Sequence, residues 1–286
     1  MNSTKQQGTC GDASVRLNRY LSMCGLGSRR KCDELIAAGH IFRNGERVTE
    51  LGVQVIPGTD RIEYMGRILR EMKAHEYFAY YKPREVMVTA NDPQGRTTIY
   101  DALKKRVAEV NHLRYAGRLD YQSEGLILLT NDGELIHALT HPRFHIKKVY
   151  HVKVERLLDD NETRRLIDGV ESEEQLLRAA SVKQLSLTEE HRRQYWYEIE
   201  LFEGKNRQLR RMFEGLNILV GRIRRVRFGS VQLAGLQPGE IRPLTERELG
   251  ALRNTGYKIP HVVKKSSSAS GRNHGKTPDA GGRSRH

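Results

Sequence analysis

Apolar positions recur along the chain with two periods, and the change from one to the other divides it. Leu17, Tyr20, Leu21 and Cys24 follow the i, i+3, i+4, i+7 spacing that lays one stripe along a helix, and Gly25-Leu26-Gly27 stops it. Ser28 is placed to cap a second helix with apolar positions Cys32, Leu35 and Ile36, and Gly39 stands at its C-terminal end. The pattern then becomes extended. Ile41-Phe42-Arg43 and Glu46-Arg47-Val48 flank Asn44-Gly45, a hairpin signal, and Val53 to Val55 and Arg61 to Tyr64 predict further short strands around Pro57-Gly58. Residues 15–65 therefore read as a small domain, after a flexible segment 1–14 and before a polar linker 66–75.

From Tyr77 onward extended runs dominate. Strands are expected at Tyr77–Tyr81, stopped by Pro83, and at Leu126–Thr130, Val149–Val154, Ser181–Leu187, Tyr195–Phe202 and Val226–Leu233. Helices are expected at Glu134–Leu139, Asp160–Asp168, Arg207–Leu216 and Thr245–Arg253, the last opened by the capping box Thr245-x-x-Glu248. Strands and helices do not alternate regularly, which points to an α+β domain with a mixed sheet over 76–255, not a doubly wound one. Beyond about Pro260 the composition turns to Ser, Gly, Lys, Arg and His with almost nothing apolar, so burial cannot offset ordering entropy and a disordered basic tail is expected over 256–286.

Composition narrows the functional classes. The chain has 286 residues, 37% of them hydrophobic, and no apolar run approaches the ~20 residues of a membrane span. With no apolar leader before Ser14 either, a soluble, cytoplasmic protein without a membrane partner is expected, and a monomer is the default. Cys10, Cys24 and Cys32 form neither a disulfide framework nor a zinc-ligand pattern; Cys24 and Cys32 read as small core residues. The formal net charge of +14 calls for a polyanionic partner. Its excess is shared by the small domain, the large domain and the tail.

In the small domain, Ser28-Arg29-Arg30-Lys31 sets three cations at a helix start, which already attracts anions through its dipole and free N–H groups. An isolated basic triplet is more often a solvated helix face. The wider pattern, Val15-Arg16-Leu17-Asn18, Gly27-Ser28-Arg29-Arg30, Ile36-x-x-Gly39 and Asn44-Gly45, resembles the RNA-binding module first known in the fourth protein of the small ribosomal subunit. The resemblance implies that module's α-L fold and RNA contacts from Arg16, Ser28, Arg29, Arg30 and Lys31. Ile41-Phe42-Arg43 departs from the valine-rich strand usual there, a matter of packing more than of binding.

In the large domain, the run from Gly117-Arg118-Leu119-Asp120 through Glu124-Gly125-Leu126-Ile127-Leu128-Leu129-Thr130 to Asn131-Asp132-Gly133 carries the most information. A lone loop aspartate is ordinarily a turn or cap residue. Here the run resembles the catalytic motif of the RNA pseudouridine synthases, in the branch acting on ribosomal RNA. Tyr81-Lys82-Pro83, Lys147-Lys148-Val149-Tyr150 and Gly204-Lys205-Asn206-Arg207-Gln208-Leu209-Arg210-Arg211-Met212 resemble the same branch in the same order.

That resemblance implies isomerisation of a uridine already in RNA. The bond from ribose to base nitrogen is exchanged for a carbon–carbon bond, with no cofactor and no metal. It makes Asp120 the one essential acid, Arg210 its cationic partner, since a nearby cation favours a carboxylate's charged form, and Tyr150 a flat wall against the uracil. The target base must leave its stack to be reached. RNA contacts are expected from Lys82, Arg118, Lys205, Arg207 and Arg211, and from Arg225 and Arg227 on one strand face, within a segment 203–230 that holds eight basic residues against Glu203 and Glu214. Tyr80-Tyr81-Lys82-Pro83 and the stretch Asn91 to Asp101 look nearest to the large-subunit enzymes. A small-subunit rRNA substrate and a non-catalytic ribosome-assembly factor stay open at this point.

Overall fold

The computed structural model describes residues 14–71, 75–106, 110–173, 175–185 and 195–253. The expected flexible start, up to residue 13, and the basic tail lie outside them, as does the end of the strand expected over Ser181–Leu187. Among the described residues no helix is long and apolar enough to cross a membrane.

The small domain forms as its pattern requires. Helices Leu17–Met23 and Arg29–Ala37 pack together, and the Lys31 backbone N–H donates to the Ser28 hydroxyl at 3.2 Å, closing the expected cap. Strands Ile41–Arg43 and Glu46–Val48 pair around Asn44 (φ 54°) and Gly45 (φ 89°), two left-handed residues in succession as a tight hairpin turn needs. Leu17, Leu21, Cys32, Ile36, Ile41 and Ile62 close the core, with Cys24 at its margin. The linker expectation needs correction at its start: Arg67–Ile68 is a strand paired with Ile62–Tyr64, and Leu69 packs on the core. The domain therefore runs past residue 65. Arg19 also pairs with Glu134 of the large domain.

The large domain is built on a nine-stranded mixed sheet. From edge to edge its main strands are Ser181–Gln184, Tyr195–Leu201, Lys148–Val154, Val220–Phe228, Glu124–Thr130, Tyr77–Lys82 and Ile241–Pro243. Val231–Gln232 pairs with the fourth of these and Arg114–Ala116 with the fifth. Side-chain alternation sends Tyr80, Ile127 and Leu129 to one face and Ala79, Tyr81, Leu126 and Leu128 to the other, and each face carries its own apolar core. Covered on both sides, all seven residues of Glu124–Thr130 are buried, which explains their nearly continuous apolar run. Lys148–Val154 alternates instead: Tyr150, Val152 and Val154 enter the core while His151 and Lys153 are only half-buried.

The four expected helices are present, at Gly133–Thr140, Asp160–Asp168, Gln208–Glu214 and Glu246–Arg253, and the Thr245/Glu248 box closes with bonds of 2.8 Å and 3.2 Å. Helix Ile99–Lys104, the hairpin of Val170–Ser172 with Gln175–Leu177, and strands Arg114–Ala116 and Ile241–Pro243 escape the sequence pattern. They are too short to show a period. The strand expected over Val226–Leu233 is two strands, Val220–Phe228 and Val231–Gln232, turning at Gly229. Its first half was hidden by charge, because Arg222 and Arg224 alternate with Ile223 on opposite faces.

All neighbouring main strands are antiparallel except Val220–Phe228 against Glu124–Thr130, which run parallel with Arg225 beside Gly125. A Cβ on Gly125 would sit 2.3 Å from the Arg225 carbonyl oxygen and 2.6 Å from its nitrogen, and Gly125 has φ +111°. Both conditions exclude a side chain. Gly125→Ala should destabilise the protein by about 3 kcal/mol, through overpacking against backbone and a strained φ; a urea-denaturation midpoint within experimental error of wild type would contradict this.

Candidate active site

Strand Arg114–Ala116 lies antiparallel to Glu124–Thr130, and residues 117–123 loop over the end of the sheet between them. Asp120 stands at the crest. Ser123 donates its backbone N–H to the Asp120 carbonyl at 3.0 Å, and Glu85 donates its own to the Tyr121 carbonyl at 2.7 Å. The Lys82 ammonium reaches up from the neighbouring strand to the carbonyls of Pro83 (2.9 Å) and Ser123 (2.7 Å). The loop is thus held by its backbone, leaving the Asp120 carboxylate 37% exposed at the mouth of a cavity of about 80 Å³.

Tyr150 lies in the wall of that cavity with Leu201, Leu209 and Ile223, an apolar surface with Asp120 and Arg210 set into it. Arg210 Nε is 3.9 Å from Asp120 Oδ2. It is carried by helix Gln208–Glu214, whose entry is fixed by the Gln208 side chain: its Oε1 accepts from the Lys205 N–H at 3.1 Å, and its Nε2 donates to Glu203 at 2.9 Å and to the Arg178 carbonyl at 3.3 Å. Burial lowers the Arg210 guanidinium from its ordinary basicity, and Asp120 pulls the other way. An arginine stays protonated under any such shift, so the cavity presents a cation beside a carboxylate against a flat aromatic wall. Asp120, Tyr150 and Arg210, separated by up to 90 residues in sequence, are brought together as expected.

The cationic residues divide differently from the expectation. Arg118, Lys205 and Arg207 line the cavity. Arg16, Ser28, Arg29, Arg30 and Lys31 are exposed on the small domain, where Arg29 also donates to Asn18 at 3.2 Å and Lys31 pairs with Glu34 at 2.9 Å. Three of the expected RNA contacts are corrected by burial. Lys82 is 0% exposed and serves the loop carbonyls. Arg211 is buried and donates to the Ser172 carbonyl at 2.7 Å. Arg225 is 2% exposed; it donates to the Leu126 carbonyl at 2.7 Å and its guanidinium stands 4.7 Å from the Phe228 ring centre. A register shift opposite Val149 and Tyr150 breaks the alternation of this strand, so Arg225 turns inward while Arg227 remains half-buried.

Glu124, which no motif singled out, anchors the start of the central strand. It is buried and receives Arg222 Nε at 2.8 Å, Arg222 Nη2 at 3.0 Å and Arg224 Nε at 2.8 Å. Burial pushes its carboxyl upward, but the two guanidinium groups outweigh it and hold the carboxyl below its ordinary range. The Arg-x-Arg spacing at 222 and 224 was a visible signal that one strand face needed a carboxylate.

Residues 76–215 match the family described as RNA pseudouridylate synthase, and residues 15–60 match the S4 domain. The chain is 39% identical to the ribosomal large subunit pseudouridine synthase B of Bacillus subtilis (strain 168), over 83% of this chain and 95% of that one. It is 34% identical to the synthase B of Escherichia coli (strain K12), over 88% and 87% of the two chains. A solved structure described as a pseudouridylate synthase superposes with a TM-score of 0.57 and 29% identity, covering 83% of this chain and 99% of the other.

Lys82 gives a pH signature. Burial pushes its ammonium from 10.5 down to about 8, against the pull of Asp120 and Glu124. Between those two values the unfolded chain binds a proton that the folded chain does not, so stability rises with pH across that window. Wild-type stability relative to Lys82→Met should therefore increase from pH 8 to pH 10.5 by on the order of 2 kcal/mol; a difference in urea midpoints that stays flat over this range would remove the buried-ammonium assignment.

Proposed function

The chain belongs to the RNA pseudouridine synthase family, with an S4 domain ahead of its catalytic domain, and on that footing we propose that it isomerises uridine to pseudouridine in large-subunit ribosomal RNA, with Asp120 as the essential carboxylate. The observation that carries this reading is the pairing of Asp120 and Arg210 across 3.9 Å in a cavity walled by Tyr150. The choice of the large subunit is supported by relatives named for it that align over most of both chains. The reading takes with it a monomer working in the cytoplasm.

The net chemistry breaks the bond between the ribose C1′ and the base N1, turns the uracil, joins C1′ to C5, and moves the C5 proton's equivalent to N1. Atoms and electrons balance without a co-reactant. Three routes use a carboxylate: removal of a ribose proton so that the base leaves as an anion, attack at the sugar carbon, and attack on the base. Each needs Asp120 against a nucleotide taken out of its stack. Tyr150 offers that base a flat apolar surface with a hydroxyl able to take part in proton movement, and Leu201, Leu209 and Ile223 keep water from the reacting bond. Arg118, Lys205 and Arg207 hold the phosphates beside the displaced nucleotide, while Arg16, Ser28, Arg29, Arg30 and Lys31 bind a more distant part of the RNA, and Arg227 adds a half-buried cation near the end of strand Val220–Phe228.

The test incubates unmodified large- and small-subunit rRNA with wild-type and Asp120→Asn protein and maps pseudouridine by carbodiimide labelling and reverse-transcription stops. A stop made by wild type alone, in large-subunit RNA, is expected, with Asp120→Asn below detection and still bound to RNA. Turnover by Asp120→Asn near the wild-type rate would refute the role of Asp120. No stop in either RNA with binding intact would favour a non-catalytic assembly role. Arg118→Ala and Arg207→Ala should each weaken RNA binding and lower the salt slope of log Kd by about 1, the signature of one lost phosphate contact; unchanged slopes would move the phosphate track away from the cavity.

A further inference from the structure

Tyr121 follows Asp120 directly, so whatever fixes the Tyr121 side chain bears on the carboxylate one residue earlier. The backbone of this loop is tied from below: the Tyr121 carbonyl accepts from Glu85, and the Gln122 side-chain oxygen accepts from Arg84 Nη2 at 2.8 Å. The Tyr121 ring is met by a different element. Arg96 places its guanidinium carbon 5.5 Å from the ring centre.

Arg96 is itself held in place. Asp92 Oδ2 accepts from the Arg96 backbone N–H at 2.9 Å and from Nε at 3.0 Å, and Asp92 Oδ1 accepts from Nη2 at 2.7 Å. The Asp92 side chain is 4% exposed. These bonds to Arg96 draw its carboxyl down to about 2. The turn carrying both residues is closed by Gly95 N–H on the Asp92 carbonyl at 3.1 Å, and its exit is pinned to the sheet side by Met87 N–H on the Thr97 carbonyl (2.9 Å) and Ile99 N–H on the Met87 carbonyl (2.8 Å). A planar guanidinium gripped along two of its nitrogens presents its face in one direction, which a lysine ammonium cannot do.

We propose that Arg96 is a positioning residue for Asp120: clamped by Asp92, it forms a fixed backstop for the Tyr121 ring and so sets where the adjacent carboxylate stands relative to Arg210 and Tyr150. The inference rests on the assignment of Asp120 as the reacting carboxylate. Its physical basis is that the loop's hydrogen bonds hold the Asp120 and Tyr121 carbonyls and the Gln122 side chain but not the Tyr121 ring, which the Arg96 guanidinium meets. A displacement of about 1 Å at a reacting group lowers rates by up to about a hundredfold.

The experiment measures single-turnover isomerisation of a large-subunit rRNA transcript at saturating enzyme, with RNA Kd by filter binding and Tm on the same preparations. It compares wild type, Arg96→Ala, Arg96→Lys, Tyr121→Leu, Tyr121→Phe and the double variant Arg96→Ala/Tyr121→Leu. Arg96→Ala and Tyr121→Leu should each slow the chemical step by roughly ten- to a hundredfold with Kd changed less than about threefold. Arg96→Lys should not rescue, Tyr121→Phe should stay near wild type, and the double variant should be no slower than the slower single, because both changes break one contact. Tyr121→Leu leaves the Asp92–Arg96 turn untouched, so the proposal is still tested if Arg96→Ala unfolds. An unchanged rate in Tyr121→Leu, losses that multiply in the double variant, or a loss confined to Kd would overturn it. Wild-type turnover separates the two claims: without it the assignment of Asp120 falls first, and with it an unchanged rate in the variants removes the positioning role alone.

Discussion

Where Glu124–Thr130 runs parallel beside Val220–Phe228, the absence of a side chain at Gly125 lets the Arg225 backbone approach to a distance at which any Cβ would collide with it. That approach joins the two halves of the large sheet. On one side, five residues before Gly125, lies Asp120; on the other, Arg225 is the cross-strand partner of Tyr150. One backbone seam therefore brings the carboxylate and its aromatic wall to the same cavity. The helix bearing Arg210 packs through Leu209, Met212 and Phe213 into the same core as Tyr150, which gives the third member a rigid mount.

Around this seam the protein buries charge as framework. Glu124 holds Arg222 and Arg224; Lys82 and Arg225 donate to main-chain carbonyls; and Lys148, pushed down to about 8 by burial and by Arg225, stands on the Phe228 ring 5.5 Å from its centre. Buried ionic groups of this kind add little net stability, yet removing one partner leaves a charge or a carbonyl unmet in an apolar interior. They restrict the loop and the strand junction to one arrangement. The cations left open to a polyanion are consequently fewer than the basic composition suggests; Arg118, Lys205 and Arg207 line the cavity, and Arg16, Arg29, Arg30 and Lys31 are exposed on the small domain. The abundance of arginine in 203–230 reflects both duties: some of these side chains meet solvent and some hold up the floor beneath it.

Much of the architecture was legible in the chain. Helical stripes with their caps, the Asn44-Gly45 hairpin and the apolar run of Glu124–Thr130 are local signals, because propensity, capping and alternation act over a few residues. Asp120, Tyr150 and Arg210 were legible through motifs that resemble those of a known family; by residue type alone they read as a turn residue, a core tyrosine and a surface arginine. What stayed hidden was short, like helix Ile99–Lys104, or depended on what a side chain meets across the fold. Lys82, Arg211 and Arg225 look like surface cations in sequence, and no local pattern separates an arginine that faces a phosphate from one that faces a carbonyl 99 residues away.

The sequence by itself determined the two domains, the mixed α+β class and the three residues that converge on the cavity. Tertiary structure alone decided the parallel seam at Gly125, the carboxylate that quiets Arg222 and Arg224, and the inward turn of Arg225. The reason is physical. Local elements follow from chain stereochemistry and the spacing of apolar side chains, whereas the partner of a buried charge is chosen by register and by a bulge in the strand, and these exist only once distant segments have packed.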